Sequence, residues 1–365
     1  YATFVREQLP DVGNDQLIIE PVQRNTAPSV AWAIHRILRL DEEASVAITP
    51  ADQIILNEAA FKDCILEKLE FTAQNDVLMP LGISPTRPEP GYGYIQMGEA
   101  TSYADIYKVK AFTEKPDREF AQLFMESGEW LWNTGLFLAN ARYLRTTMEQ
   151  YMPSVLRHLD EIYPHWTIDE ENAYMQEHFR SYPNLSIDYG ILEKSEHVCV
   201  ARCQFGWADV GTWHGIYEAR EKDAEGNVVI DSKVLFDDSR DNVVKLSKGK
   251  LAVLGGLEGF IVAEKGNVLL VCKKEDSSAL VRKYVNEIAI RTGEEYLSLS
   301  STRLSTATSY VFPPVRHPAA SPKADERPVP LHPGPAMPPR RRKRPAPVAR
   351  PPCRRQNGRR TARGA

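Results

Sequence analysis

The 365-residue sequence predicts an α/β fold with a largely parallel sheet, then a small β-rich domain and a disordered tail. Three observations predict it. Short β-branched runs alternate with longer runs of helical period between residue 16 and about residue 220. From 226 to 272 the helical period is lost, and brief apolar runs are broken by Gly, Asp and Lys. Past Leu297 large apolar residues almost vanish among Pro, Arg, Ala and Ser, too few to offset the entropy of ordering. The implied domains are 1–222, 223–297 and a tail at 298–365.

Strands are predicted at 16–20, 45–49, 77–83, 107–113, 135–139 and 198–203. Between the first two, Val30, Ala33, Ile34, Ile37 and Leu38 recur at helical spacing and make one apolar face. Asn25 or Thr26 caps that helix, and Pro28 suits its first turn. Further helices are predicted at 58–71, 119–127, 141–163, 170–180 and 278–290, the last closing the β-rich domain.

Composition limits the function. With 42% hydrophobic and 26% charged residues the chain has the balance of a globular protein. No run of eighteen apolar residues exists, so no membrane partner is expected. Five scattered cysteines without C-x-x-C spacing read as reduced thiols of a cytoplasmic protein. Charge is divided unevenly: residues 298–365 hold 15 Lys+Arg against 2 Asp+Glu, leaving 30 and 47 upstream. The run Arg340 to Arg344 suits phosphates, yet aromatic residues to stack bases are absent beyond Phe312, so no specific nucleic-acid partner is expected. The Arg-over-Lys bias among Pro, Ala and Gly also matches a GC-rich gene read out of frame. The chain begins at Tyr1 rather than Met, which reads as a fragment.

No P-loop, zinc spacing or nucleophile elbow is present; the chemistry must come from polar and glycine residues at strand ends, where open α/β sheets hold ligands. Asp52 follows an apolar strand, and Asp209 sits between glycines and tryptophans. Converging, two such carboxylates suit Mg²⁺; singly, each reads as a turn former. Glu114 and Lys115 end another strand. A carboxylate can take sugar hydroxyls and an ammonium can meet phosphate, and strand alternation is expected to aim the two apart; the bland alternative is an exposed ion pair. Gly93 and Tyr94 permit close approach of a ligand, and Asn133 offers an amide beside Trp132. Glu20, Arg24, Asn25 and Thr26 lie where a strand passes into a helix N-terminus that can face phosphate or a base; capping alone accounts for Asn25 and Thr26 but not for Arg24.

Read in order, EPVQRNTAPSVAWA (20–33), TPADQ (49–53), PTRPEPGYGYIQMGE (85–99), FTEKPD (112–117), WNTGLF (132–137), SIDYGILEKSEHV (186–198) and GWADVGTW (206–213) resemble the mannose-1-phosphate guanylyltransferases, from Tyr1 to about Leu297. The resemblance implies a Rossmann-like, GT-A-like mixed sheet and synthesis of GDP-mannose and pyrophosphate from GTP and mannose 1-phosphate. It also implies Mg²⁺ held by Asp52 and Asp209, with Lys115 on a phosphate. Gly93, Tyr94, Glu114, Asn133 and Asp188 would line the hexose pocket, and Glu20, Arg24, Asn25 and Thr26 the guanine. Three departures are visible. The family's first strand and its G-G-x-G-[ST]-R-x-W-P loop have no counterpart here, so the chain alone is expected to be inactive. Gln53 stands where the family usually has His, and Pro90 where it often has Thr. The tail matches neither the family's β-rich end nor its isomerase domain. Other readings are a nucleotidyltransferase for another pair, such as glucose 1-phosphate with UTP, or a non-catalytic sugar-nucleotide binder. The β-rich domain offers a surface for a homodimer.

Overall fold

The computed structural model describes residues 2–275 and 277–292; the tail predicted at 298–365, with Cys353, lies outside the described residues. In chain order the larger part contains α1 (Ala2–Gln8), α2 (Thr26–Leu38), β1 (Ser45–Ile48), β2 (Gln53–Ile55), α3 (Glu58–Gln74), β3 (Met79–Ile83) and β4 (Gly93–Ala100). It continues with β5 (Ile106–Thr113), α4 (Arg118–Ser127), β6 (Trp130–Asn140), α5 (Ala141–Tyr151), α6 (Ile168–His178), β7 (Cys199–Cys203), β8 (Trp207–Asp209) and α7 (Trp213–Ala219).

Six of these strands form the central sheet in the order β1-β6-β3-β7-β5-β4, with β4 also pairing β6. The expectation of a largely parallel sheet fails, since only β3 and β7 run parallel and every other pairing is antiparallel. The reason is β6: an eleven-residue strand serves as partner to β1, β3 and β4 along different parts of its length, and it opposes all three. A two-stranded ribbon of β2 and β8 stands apart from this sheet.

The β-rich region is as the lost helical period predicts. It holds β9 (Val228–Ile230), β10 (Lys233–Asp237), β11 (Val243–Lys245), β12 (Leu251–Gly255), β13 (Phe260–Lys265) and β14 (Val268–Lys273), then α8 (Ser277–Thr292). β9, β11 and β13 pair parallel, with β14 antiparallel on β13, and β10 pairs parallel with β12. Buried Asn227 and Asn242 tie successive turns, because the Asn242 amide donates to Asn227 Oδ1 at 3.0 Å.

Three further expectations are corrected. No strand forms at 16–20: after a 3₁₀ turn at Asn14–Gln16 the chain runs unpaired by ladder bonds, and the Gln176 side chain of α6 donates to the Ile19 carbonyl instead. The helix predicted over 141–163 ends at Tyr151, since Pro153 lacks the N–H that its continuation requires, and 3₁₀ turns follow. β4 went unread because Gly93, Gln96, Gly98 and Glu99 have low strand propensity.

The predicted apolar face of α2 is largely confirmed. Val30 and Ile34 are buried with Leu144 and Met148 of α5 in one cluster, joined by Ile37 and Leu38 at its margin. On its other side α2 is joined to α6 by a buried carboxylate. Glu171 is fully buried and takes hydrogen bonds from Trp32 Nε1 (2.6 Å), Arg36 Nη2 (2.8 Å) and Arg39 Nη1 (2.7 Å). No described helix is long and apolar enough to cross a membrane. Cys64, Cys199, Cys203 and Cys272 are free thiols, as their spacing predicts.

Removing one member of a buried charge cluster leaves its partners uncompensated. Glu171→Ala should therefore lower unfolding free energy by about 3–5 kcal/mol, measured by urea denaturation. A loss below about 1 kcal/mol would show that the cluster is solvated.

Candidate active site

Two carboxylates form the first corner of the site. Asp52 lies in the turn between β1 and β2, and Asp209 ends β8. The β2–β8 ribbon sets Gln53 directly opposite Asp209, and the Val210 N–H donates to the Asp52 carbonyl at 3.1 Å, so residues far apart in sequence are held by backbone bonds. Both carboxylates reach the same point: a Cβ on Gly211 would lie 2.8 Å from Asp209 Oδ1 and 3.3 Å from Asp52 Oδ2. Glycine there is a requirement of space, and its N–H donates to Asp209 Oδ1 at 2.7 Å. Gly215 fixes the next helix equally closely, because a Cβ would sit 1.8 Å from the Asp209 carbonyl oxygen.

Burial, and then repulsion from Asp52, push the Asp209 carboxyl up to about 6, and burial also raises that of Asp52. Like charges are thus being held together at a cost that a cation would relieve. The donor set fits Mg²⁺: hard oxygens, two carboxylates, and among the described residues no larger cage of His, Cys, Asp or Glu.

The second corner brings together Gly93, Glu114, Asn133 and Asp188. Gly93 opposes Asn133 across the β4–β6 pairing, and a Cβ on Gly93 would meet Glu114 Oε2 at 2.6 Å and Asn133 Cβ at 3.3 Å. Any side chain at 93 would fill the space between the carboxylate and the amide. Gly135, at φ +73°, makes an irregularity in β6 that turns its N–H onto Asn133 Oδ1 at 3.1 Å, while Asn133 Nδ2 donates to Asp188 Oδ1 at 2.9 Å. Asp188 opens a π-helical turn, Asp188–Leu192. Its carboxyl is pushed up to about 6 by burial and then by the charge of Glu114.

Lys115 joins the corners. Strand alternation was expected to aim it away from Glu114, but its backbone turns to φ +48°, and Nζ folds back to donate to Glu114 Oε1. Its positive charge is felt at both Asp188 and Asp209, and its N–H donates to the Tyr92 carbonyl at 3.2 Å.

Tyr94, expected among the ligand contacts, is instead completely buried, because successive strand residues face opposite ways and Gly93 takes the pocket side. Its hydroxyl accepts from Trp132 Nε1 and from the Glu89 N–H, each at 3.0 Å, and so fixes the loop before β4. The 20–26 segment is knitted to the chain that carries Asp188: the Ala27 N–H donates to the Leu185 carbonyl and the Ile187 N–H to Thr26 Oγ1, both at 3.0 Å. Asn25, at φ +66°, caps α2, and burial raises the carboxyl of Glu20. Arg24 donates to the Arg180 carbonyl, a contact that capping alone does not explain.

Sequence reasoning missed Arg87 and Glu89. The Arg87 guanidinium lies 5.0 Å over the Trp132 ring, pairs with Glu218 of α7 at 3.1 Å and reaches Glu89 at 3.6 Å; Glu89 accepts from the Gly91 N–H at 2.8 Å. The available signal was Arg-x-Glu between prolines before a glycine turn.

Because native Asp188 and Asp209 hold protons up to about pH 6, against an ordinary value of 3.8, the folded state takes up protons that the unfolded chain does not between those limits. Their contribution to stability is full below the lower limit and is lost as pH rises through about 6. The thermal midpoint of wild type relative to Asp209→Asn should therefore fall from about pH 4 to about pH 7, and Mg²⁺ at neutral pH should raise only the wild-type value. A difference independent of pH would contradict the raised carboxyl.

The Nucleotidyl transferase family matches residues 3–226. A putative mannose-1-phosphate guanylyltransferase of Vibrio cholerae serotype O1 is 31% identical over 80% of this chain and 62% of its own length. A mannose-1-phosphate guanylyltransferase of Salmonella montevideo is 33% identical over 81% and 63%. The chain thus spans under two thirds of the length of these curated relatives. Among solved structures, a Thermus thermophilus protein described as a mannose-1-phosphate geranyltransferase superposes with a TM-score of 0.63 at 28% identity, covering 78% of this chain and 81% of that one. With a match across most of its described length and this two-cornered site at the ends of its strands, the chain belongs to the Nucleotidyl transferase family.

Proposed function

We propose that the protein is a sugar-1-phosphate nucleotidyltransferase that joins mannose 1-phosphate to GTP, giving GDP-mannose and pyrophosphate. The observation that carries this reading is the meeting of a carboxylate pair suited to a cation with a carboxylate–amide pair suited to hexose hydroxyls, with one ammonium between them. The choice of mannose and guanine rests on the names of the curated relatives.

In this reading an oxygen of the sugar phosphate attacks the α-phosphorus of GTP in line, and the bond to the departing pyrophosphate breaks. Glu114 accepts hydrogen bonds from two hexose hydroxyls, and Asn133, fixed by Asp188, donates to a third group. Gly93 leaves the ring room to approach the strand. Lys115 turns from Glu114 to the sugar phosphate and helps bring two anions together. Asp52 and Asp209 hold Mg²⁺, which when bound offsets the charge building on the phosphates. The 20–26 segment, with Glu20, Arg24, Asn25 and Thr26, borders the base, and the Arg24 carbonyl and Thr26 hydroxyl bond it to the chain leading to Asp188. The protein is proposed to act in the cytoplasm, and the β-rich region to supply the contact of a homodimer.

Calorimetric titration with Mg²⁺ present tests the assignment. GDP-mannose should bind at least tenfold more tightly than UDP-glucose, and Glu114→Gln and Asn133→Ala should each weaken it about tenfold, the value of one hydrogen bond to a charged or buried group. Equal or tighter binding of UDP-glucose would move the assignment to another sugar-nucleotide pair.

A further inference from the structure

In the ribbon that carries the carboxylate pair, two buried polar atoms lack a partner, the donor Trp207 Nε1 and an acceptor on Gln53. Gln53 Oε1 is buried and accepts no hydrogen bond, although the other end of the same carboxamide is fixed, Nε2 donating to the Thr134 carbonyl. That bond decides which end is which, since the reversed amide would set two oxygens together. A buried acceptor without a donor is costly, and natural sequences retain one where something absent from the bare protein completes it.

Its position says what that is. Gln53 follows Asp52 directly and is the cross-strand partner of Asp209, and directly paired residues of an antiparallel ribbon share a face. The β6 irregularity closes in from the other side: a Cβ on Gly135 would lie 3.2 Å from Pro50 and 4.0 Å from Gln53 Nε2. The carboxamide is therefore wedged between the strand that presents Thr134 and the ribbon that carries Asp209 opposite it. Its free oxygen needs a donor that has no further acceptor demand there. A water bound to a divalent cation supplies this, and Mg²⁺ keeps several of its waters when carboxylates bind it.

We propose that Gln53 is a positioning residue for the cation, its carboxamide oxygen accepting a hydrogen bond from a water carried by the ion at Asp52 and Asp209. This rests on the reading of those two residues as the cation site. Gln53 does not touch the metal itself; it orients a water and so limits where the ion sits. The arrangement explains why an amide suits the position. A carboxylate would add a third negative charge and lose the donor to Thr134, and an aliphatic side chain would lose both bonds.

The test uses Mn²⁺ alone as the probe, titrated into the full chain and followed by the paramagnetic resonance of the free ion, with no substrate or turnover involved. Asp209→Asn should abolish binding. Gln53→Met and Gln53→Leu should weaken it roughly tenfold, within the range found for residues that orient metal ligands. Both variants give up the bond to the Thr134 carbonyl along with the unpartnered acceptor, so their affinities are compared on protein shown by circular dichroism to be folded. Gln53→His can donate to Thr134 with one ring nitrogen and accept with the other, and should recover affinity to within about threefold of wild type. Wild-type Mn²⁺ affinity in whichever of the Met and Leu variants folds, with Asp209→Asn still unable to bind, would overturn the role of Gln53 alone. Unchanged binding in Asp209→Asn as well would overturn the cation site on which it depends. A His variant no better than the aliphatic ones would show that volume, rather than an acceptor, is what the position requires.

Discussion

The site depends on one constraint: two half-buried carboxylates, far apart in sequence, are brought together by backbone bonds of the β2–β8 ribbon. Neither group gains from the contact. Each carboxyl is raised because the charged form is poorly solvated, and at Asp209 also because it faces a like charge, so without a counter-ion the arrangement opposes folding. The rest of the fold compensates for it. Gly211 removes the side chain that would separate the two, Gly215 lets α7 seat directly on the Asp209 carbonyl, and Thr212 caps that helix. Strain of this kind is typical where a bound group is meant to complete the structure.

The second corner follows the same logic in weaker form. Asp188 is raised by burial and by Glu114, and the Asn133 amide partly offsets this. Lys115 is the shared neutraliser, its ammonium folded onto Glu114 while its field reaches both Asp188 and Asp209. One cation thus balances three acids, paired directly with only one of them. Arg87, stacked over Trp132 and paired to Glu218, ties the loop before Gly93 to the helix after Asp209, so the corners are joined mechanically as well as electrostatically.

Much of this was legible in the sequence, for identifiable reasons. Asp52 and Glu114 follow apolar strands that short-range pattern reveals, whereas Asp209 closes a three-residue strand and Asn133 lies inside β6, beyond what pattern places. Their convergence was not legible from pattern, since it depends on β2 pairing with β8 across most of the domain. Lys115 and Tyr94 were misread for a local reason: simple alternation fails where Lys115 adopts positive φ, and it works against Tyr94 once Gly93 is seen to face the pocket. The run at 16–20 looked like a strand because Leu17 is a core residue, yet the Ile19 carbonyl is met by a side chain from α6. Arg87 and Glu89 escaped because a charged pair in a proline-rich loop resembles solvated surface until the aromatic rings beneath it are known. The antiparallel character of the sheet was hidden by β6, whose eleven residues serve three partners that no periodicity reveals.

The central claim is most directly tested by a crystal structure of the protein soaked with Mn²⁺, using the anomalous signal of the metal. The account predicts one peak within bonding distance of both Asp52 and Asp209. A peak elsewhere, or the two carboxylates separated and each solvated, would contradict it.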